Sequence, residues 1–125
     1  MRLNMDCVRD ILISIADNLI HDRYGYVSPL DPIQLCQSEL SQHSQNEVLY
    51  WIRQLMESGI IVPGRKYVDN PFPQIKDLSM TGYQFIDSVK SESVWGKIKP
   101  KLIECSVSTI SALILKSIEI AIGVM

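Results

Sequence analysis

The sequence has few of the side chains from which catalytic and metal sites are usually built. Among its 125 residues are three cysteines and two histidines, and no CxxC pair is present. A zinc site needs about four ligands at paired spacings, and a catalytic nucleophile needs a base within hydrogen-bonding reach. The scattered residues Cys7, Cys36, Cys105, His21 and His43 meet neither requirement. We therefore expect no enzyme activity, no bound metal and no cofactor.

Glycine is also sparse, and none of the six glycines belongs to a phosphate-binding loop. Such a loop needs several glycines within a few residues of a helix start. Gly25, Gly59, Gly64 and Gly82 lie too far apart for this. The sequence therefore shows no nucleotide-binding motif.

The cysteine count and the composition of the two ends of the chain indicate the cellular compartment of the protein. An odd number of cysteines fits a reducing compartment, and acids interrupt the first ten residues, where a secretory signal would be apolar. The stretch 107–124 is very apolar, but Lys116 and Glu119 interrupt it, whereas a spanning helix needs about 20 predominantly apolar residues. We expect a cytoplasmic protein without a membrane span.

Positive charge is not in excess. The formal net charge is −2, and residues 1–40 carry three arginines against six acids. Non-specific affinity for nucleic acid comes mainly from phosphate neutralisation, so this balance argues against a strong non-specific binder and still allows a local basic patch.

Asp6 and Asp10 share one face of the first predicted helix, where we expect both carboxylates to be solvated.

Apolar residues recur at spacings of three and four, which predicts a mainly α chain. Asn4 is the predicted N-cap of the first helix, and Asp31-Pro32 begins the second. Ser44 and Glu47 predict a capping box for the third, in which each side chain accepts from the other residue's backbone N–H. Gly59 is expected to end that helix, because glycine takes a left-handed conformation at little cost.

The β-branched run 60–62 and residues 75–78 predict a hairpin with a long tip, beginning at a break at Pro63-Gly64. Another short strand is predicted at 24–27. Ser79 is the expected cap of a fourth helix. Pro100 is expected to kink or break the helical segment that follows, and a last helix is predicted over 107–122.

The order of these elements is that of a winged helix-turn-helix with extra C-terminal helices. The predicted fold class is mainly α, or α+β in that it includes a small β-hairpin. The string GIIV at 59–62 and the string LSMTG at 78–82 are similar to the paired motifs of winged-helix regulators. We predict a winged-helix domain over residues 1–90 and a C-terminal helical extension over 91–125, used for packing or dimerisation.

Three segments resemble the DUF2513 family: MDCVRDIL near the start, EVLYWIRQLMESGII in the middle and LSMTGYQFIDSVKSESVWGKIK towards the end. The resemblance covers roughly residues 5–103. It implies a small protein of a phage, prophage or other mobile element, and it supplies no catalytic residues. The family pattern usually has histidine where Tyr83 stands and often another at Trp51.

If this fold binds DNA, the third helix is the recognition helix. Amide side chains can contact adenine and arginine can contact guanine from a helix in the major groove. Two cations at the hairpin tip are placed to contact phosphate. The candidate nucleic-acid-binding residues are Gln45, Asn46, Tyr50, Arg53, Gln54, Arg65 and Lys66, and the expected partner is double-stranded DNA.

The last helix is apolar nearly all round, so it must be buried on several sides. One chain covers one side, and a second copy would cover the other. We therefore predict a homodimer whose interface includes Ile110, Leu113, Ile114, Ile118 and Ile122.

The alternative is a non-enzymatic protein-interaction module on the same fold, for example a phage-encoded protein that binds a host factor. The acidic first forty residues favour this alternative, as would an exposed Trp51 or Tyr50. The distribution of charge discriminates between the two. Arg53, Arg65, Lys66 and Lys76 on a face without acids would favour DNA, and interleaved acids would favour a protein partner.

Overall fold

Six helices and two small antiparallel hairpins make up the part of the chain that the computed structural model describes, residues 4–103 and 109–124. The fold is mainly α, as the sequence predicts. In chain order the elements are α1 (Met5–Asn18), β1 (Ile20–His21), β2 (Val27–Ser28), α2 (Pro32–Glu39), α3 (Gln45–Glu57), β3 (Ile61–Pro63), β4 (Ile75–Leu78), α4 (Met80–Val89), α5 (Glu92–Ile103) and α6 (Ile110–Val124).

Helices α1, α2 and α4 begin at the predicted caps. The side chain of Asn4 accepts from the Cys7 N–H, that of Asp31 from Ile33, and that of Ser79 from Gly82, at 3.0 to 3.2 Å. Each bond satisfies a backbone donor that has no partner within its helix.

The capping box of α3 is only half formed. Ser44 Oγ accepts from the Glu47 N–H at 3.2 Å, as predicted. The Glu47 carboxylate instead accepts from Trp51 Nε1 at 3.3 Å, so the predicted return bond to the Ser44 N–H is wrong. Residues four apart lie on the same helix face, and the indole N–H of the buried Trp51 needs an acceptor there.

The first hairpin is not the single strand predicted at 24–27. Strands β1 and β2 pair through Ile20–Ser28 and His21–Val27, and residues 24–26 lie in the turn between them. Asp22 Oδ1 accepts from the N–H groups of Tyr24 and Tyr26, which competes locally with strand pairing.

The predicted strand pair 60–62 and 75–78 is present as β3 and β4. Pairing does not stop at Pro63-Gly64, because the Gly64 N–H donates to the Gln74 carbonyl and the Gln74 N–H donates to the Arg65 carbonyl. A register shift next to Pro63 accommodates the residue that has no N–H to donate. Leu30 adds a two-bond bridge to Ile75 on the other edge of β4.

Gly59 controls the passage from α3 to β3. Its φ of +80° lies in the left-handed region, and the Ile60 N–H then donates back to the Leu55 carbonyl at 3.0 Å. The Ile60 carbonyl accepts from the Ser79 N–H at 2.9 Å, which holds the end of β4 beside the start of β3. A Cβ at Gly82 would lie only 3.2 Å from that carbonyl oxygen, so α4 also packs closely here.

A buried arginine joins α1 to the end of α4. Arg9 is 6% exposed; its Nε donates to the Val89 carbonyl at 2.8 Å and its second terminal nitrogen donates to the Lys90 carbonyl. It also binds Glu92 at 3.1 Å. The guanidinium thus satisfies carbonyls that the helix end leaves without partners.

The expectation of fully solvated carboxylates on α1 is wrong. Asp6 accepts from Trp95 Nε1 and from Lys99 Nζ, both at 2.8 Å, and so ties α1 to α5. Asp10 lies 2.8 Å from His43 Nε2. These partners are 33 to 93 residues away along the chain, so a helical pattern alone does not reveal them.

The C-terminal helices pack on the rest of the chain. Helix α5 continues through Pro100 to Ile103 rather than breaking there. The predicted helix start at 107 lies outside the described residues. Buried side chains of α5 and α6, such as Ile98 and Ile114, belong to the same apolar cluster as those of α1 to α4. In the described ranges no helix is both long enough and apolar enough to cross a bilayer.

Two glycine substitutions should change stability in opposite directions. Gly59→Ala places a side chain at positive φ and should lower the free energy of unfolding by about 1 kcal/mol, although its Cβ would meet no atom within 4 Å. Gly96→Ala, at an exposed position inside α5, should raise it by roughly 0.5 kcal/mol or more. Urea denaturation measures both, and an unchanged or raised stability of Gly59→Ala would contradict the assignment of the turn.

The Asp6 contacts predict a pH dependence. Burial alone would raise the pKa of Asp6, but the hydrogen bonds from Lys99 and Trp95 and the nearby positive charges outweigh it, so the folded-state pKa lies below its ordinary value. The resulting stabilisation is present above the unfolded-state pKa and is lost as the pH falls through the folded-state pKa. Wild type should therefore lose stability more steeply than Asp6→Asn between about pH 5 and pH 2.

Acid denaturation of the two proteins measures this difference. Asp17→Asn, at an exposed carboxylate on the same helix, is the matched control and should follow wild type. Parallel curves for wild type and Asp6→Asn would contradict the prediction.

Candidate nucleic-acid interface

Helix α3 has one buried and one exposed face. Val48, Trp51, Ile52 and Leu55 are buried in the core. On the opposite side, Asn46, Tyr50, Arg53 and Glu57 follow one another at spacings of four, three and four, and all are exposed. Gln45 is exposed at the first helical position, and Gln54 is half-buried at the edge of this face. The candidate residues of α3 therefore share one exposed surface, with Gln54 at its border.

Trp51 does not form a partner surface. It is 6% exposed, and the ring of Tyr50 meets it edge-on at 4.8 Å between centroids. Its side chain therefore belongs to the core. Of the two aromatic residues that would favour the protein-interaction alternative if exposed, Trp51 is buried and only Tyr50, at 43%, is exposed.

The loop between β3 and β4 carries the other candidates. Arg65 and Lys66 are exposed, and the Arg65 guanidinium lies 5.2 Å from the centre of the Tyr67 ring. Within the loop the Asn70 N–H donates to the Tyr67 carbonyl, and Asn70 Oδ1 accepts from the Phe72 N–H. These local bonds give the tip a defined shape even though its outermost residues are exposed.

One contact joins the loop to α3. Phe72 is 8% exposed, and the Arg53 guanidinium lies over its ring at 4.8 Å. Such cation–π contacts are worth about 0.5 to 1 kcal/mol at exposed sites. The contact places the loop that carries Arg65 and Lys66 against the exposed face of α3. The sequence offers no signal for this juxtaposition because Phe72 lies in an irregular loop.

The cations of this surface are not neutralised by ion pairs. Within residues 4–103 and 109–124, Arg53, Arg65, Lys66 and Lys76 have no carboxylate within 4.0 Å. In contrast, Arg9, Lys90, Lys99 and Lys116 all have acidic partners. Exposed acids are nevertheless interleaved, with Glu57 at the end of the α3 face and Asp69 on the loop. The face is locally cationic but not free of acids.

A contact with α1 fixes the turn between α2 and α3. His43 Nε2 lies 2.8 Å from Asp10 Oδ2 on α1, and the His43 N–H donates to the Leu40 carbonyl. The next residue, Ser44, caps α3. His43 therefore positions the start of α3, a role that the sequence did not reveal.

Neither metal nor thiol chemistry is indicated at the described positions. There, no group of three or more His, Cys, Asp and Glu side chains is placed to hold a metal. Cys7 and Cys36 are buried free thiols, and burial raises the pKa of Cys7 to about 12, so a thiolate is strongly disfavoured. Cys105 lies outside the described residues.

Comparison with known families gives one result. The family profile described as "Hypothetical protein (DUF2513)" matches residues 2–108. The chain belongs to the DUF2513 family. Searches of curated proteins and of solved structures found no match.

In this DUF2513 protein Tyr83 and Trp51 both have structural roles. Tyr83 Oη donates to Asp77 Oδ1 at 2.6 Å, which joins α4 to β4. Burial and this bond raise the pKa of Tyr83 to about 12. Trp51 fills the core beneath α3 and bonds Glu47. Both residues stabilise the frame that carries the candidate interface.

The predicted dimer residues are not equally accessible in this DUF2513 chain. Leu113 and Ile114 are 5% and 0% exposed because α4 and α5 cover that side of α6, so they are not available to a second copy in this arrangement. Ile110 and Ile118 are half-buried. Ile122 and Leu115 are 67% and 56% exposed. The homodimer stays a prediction, and it now depends on the outer side of α6.

The Arg53–Phe72 contact predicts how the loop responds to substitution. Phe72→Ala should lower the free energy of unfolding by roughly 1 to 3 kcal/mol, since a mostly buried ring is removed. It should also speed amide exchange at Gly64 and Gln74, whose bonds lie at the base of the loop.

Val68→Ala is the matched control, because Val68 lies on the same loop and is fully exposed. It should leave both quantities unchanged. Equal exchange rates in Phe72→Ala and wild type would show that Phe72 does not hold the loop.

Proposed function

We propose that this protein is a winged-helix DNA-binding regulator of a phage or other mobile element, acting as a dimer. Helix α3 enters the major groove, and the β3–β4 loop is the wing that contacts the sugar-phosphate backbone. The observation that carries the proposal is the Arg53–Phe72 contact, which places the loop that carries the wing cations against the exposed face of α3.

Element order and pairing support the winged-helix assignment. The Leu30–Ile75 bridge places a short extended segment before α2 against β4, and β3 flanks β4 on its other edge. Helices α1, α2 and α3, the β3–β4 hairpin and the Leu30–Ile75 bridge support the proposal that a recognition helix and a wing lie side by side. Fold alone does not establish function, so the argument also depends on charge.

Local charge gives divided support: the exposed cations favour DNA, whereas the interleaved acids Glu57 and Asp69 favour a protein partner. Arg53, Arg65, Lys66 and Lys76 are exposed, and their lack of ion pairs at the described positions leaves their charge available to phosphates. Glu57 and Asp69 reduce the local potential. We therefore expect moderate affinity with a clear dependence on salt, rather than the strong non-specific binding of a basic protein.

Dimerisation fits the same proposal. A dimer through the exposed side of α6 would carry two α3 helices, and DNA-binding dimers of this kind use half-sites about 34 Å or a multiple of it apart. Leu115 and Ile122 are the exposed apolar residues that such an interface would cover.

A protein-interaction module remains the second candidate because of the first hairpin. Ile20, Tyr24 and Tyr26 are 68%, 72% and 75% exposed within seven residues of chain. Aromatic residues are enriched at protein interfaces. A partner protein bound there would use a different surface from α3 and the wing.

The proposal is tested by fluorescence anisotropy with a mixed pool of labelled duplexes at low and moderate salt. Wild type should bind at micromolar concentration or below, with affinity falling steeply as salt rises. Arg65→Ala/Lys66→Ala should weaken binding and reduce the slope of log affinity against log salt by about two.

Arg23→Ala is the matched control. Arg23 is exposed on the first hairpin and lies over Tyr24 at 5.0 Å, much as Arg65 lies over Tyr67. It should bind like wild type. Absence of binding at low salt would contradict the proposed function, and equal losses in both variants would move the interface away from the wing.

A further inference from the structure

We infer that the DNA this surface recognises is rich in A·T pairs, contacted by amide side chains of α3 in the major groove and by the wing in an adjacent minor groove. The inference rests on the proposed DNA-binding function and adds the class of sequence to it. Two sets of observations carry it: the side chains present at the start of α3, and the chemistry of the wing tip.

The start of α3 presents amides to solvent. Gln45 and Asn46 are exposed in the first turn, where a recognition helix contacts base edges. Of the four asparagines in the chain, Asn4, Asn18 and Asn70 use their amides in bonds to the backbone. The Asn46 amide makes no hydrogen bond to any described residue. A primary amide forms a bidentate pair with the N6 and N7 atoms of adenine.

The only basic side chain of α3 is held away from this turn. Arginine is the usual bidentate partner of guanine, but Arg53 follows Asn46 by two helical turns, or about 10 Å along the axis. Its guanidinium lies over Phe72. Arg53 is therefore positioned beside the wing, where phosphate is the nearer partner. The first turn of α3 therefore offers amides that match adenine and no arginine or lysine to form the bidentate pair with guanine.

The wing tip fits the minor groove of an A·T tract. Such tracts have a narrow minor groove whose negative potential attracts arginine and lysine, and Arg65 and Lys66 are exposed and without ion pairs at the described positions. Next to them, Val68 is fully exposed and Tyr67 is 44% exposed. Apolar side chains at such tips contact the groove floor or enter a base step. Asp69 opposes the approach, so its removal should strengthen binding.

Three labelled duplexes of equal length test the inference: one of A·T pairs, one of G·C pairs and one in which inosine replaces guanine. Wild type should bind the A·T duplex at least about fivefold more tightly than the G·C duplex. Asn46→Ala should remove most of that preference with little change in affinity for G·C. Gln84→Ala, at an exposed amide on α4, is the control and should keep the preference.

The inosine duplex separates the two grooves, because an inosine·cytosine pair lacks the minor-groove amino group of guanine but keeps its major-groove edge. It should bind between the other two, and its advantage over G·C should survive Asn46→Ala but fall in Arg65→Ala/Lys66→Ala. Asp69→Asn should bind all three more tightly. Equal binding of the A·T and G·C duplexes overturns this inference while leaving DNA binding intact, whereas binding to none of them overturns the proposed function itself.

Discussion

The geometry of the candidate interface depends on the turn at Gly59. Helix α3 ends there with a φ of +80°, and β3 begins two residues later. With so short a connection, the β3–β4 hairpin has to lie beside α3. The Ile60 carbonyl fixes the returning strand through the Ser79 N–H, and the Arg53–Phe72 contact fixes the loop at the other end. The β3–β4 loop and the exposed face of α3 therefore lie side by side because one glycine sets the angle between helix and strand.

The frame below this surface is held by polar contacts that are far apart in sequence. Arg9 binds carbonyls at the end of α4, Asp6 binds Trp95 and Lys99, and Asp10 faces His43 at the start of α3. Those contacts occupy Arg9 of α1 and Lys99 of α5. The cations of α3 and of the β3–β4 loop have no acidic partners at the described positions, so a chain of net charge −2 still has exposed unpaired cations on this side.

How much of the structure could be predicted from the sequence depends on how far apart along the chain the interacting residues lie. Asn4, Asp31, Ser44 and Ser79 act within three residues, and Gly59 acts through its own φ, so the helix boundaries and the main hairpin are visible as local patterns. The β1–β2 hairpin was missed because its strands have two residues each and no alternation to detect. The Leu30–Ile75 bridge, the Arg9 contacts and the Arg53–Phe72 contact require the folded chain. The candidate residues of α3 and of the β3–β4 loop could be predicted from the sequence. The packing of the loop against α3 could not.

The most direct test of the account is an NMR titration of amide resonances with a short A·T-rich duplex. The account predicts that the resonances that shift belong to residues 44–54 and 64–74, while those of the first hairpin at 20–28 stay in place. Shifts confined to the first hairpin, or no shifts at low salt, would contradict it and would assign the binding function to another surface or another class of partner.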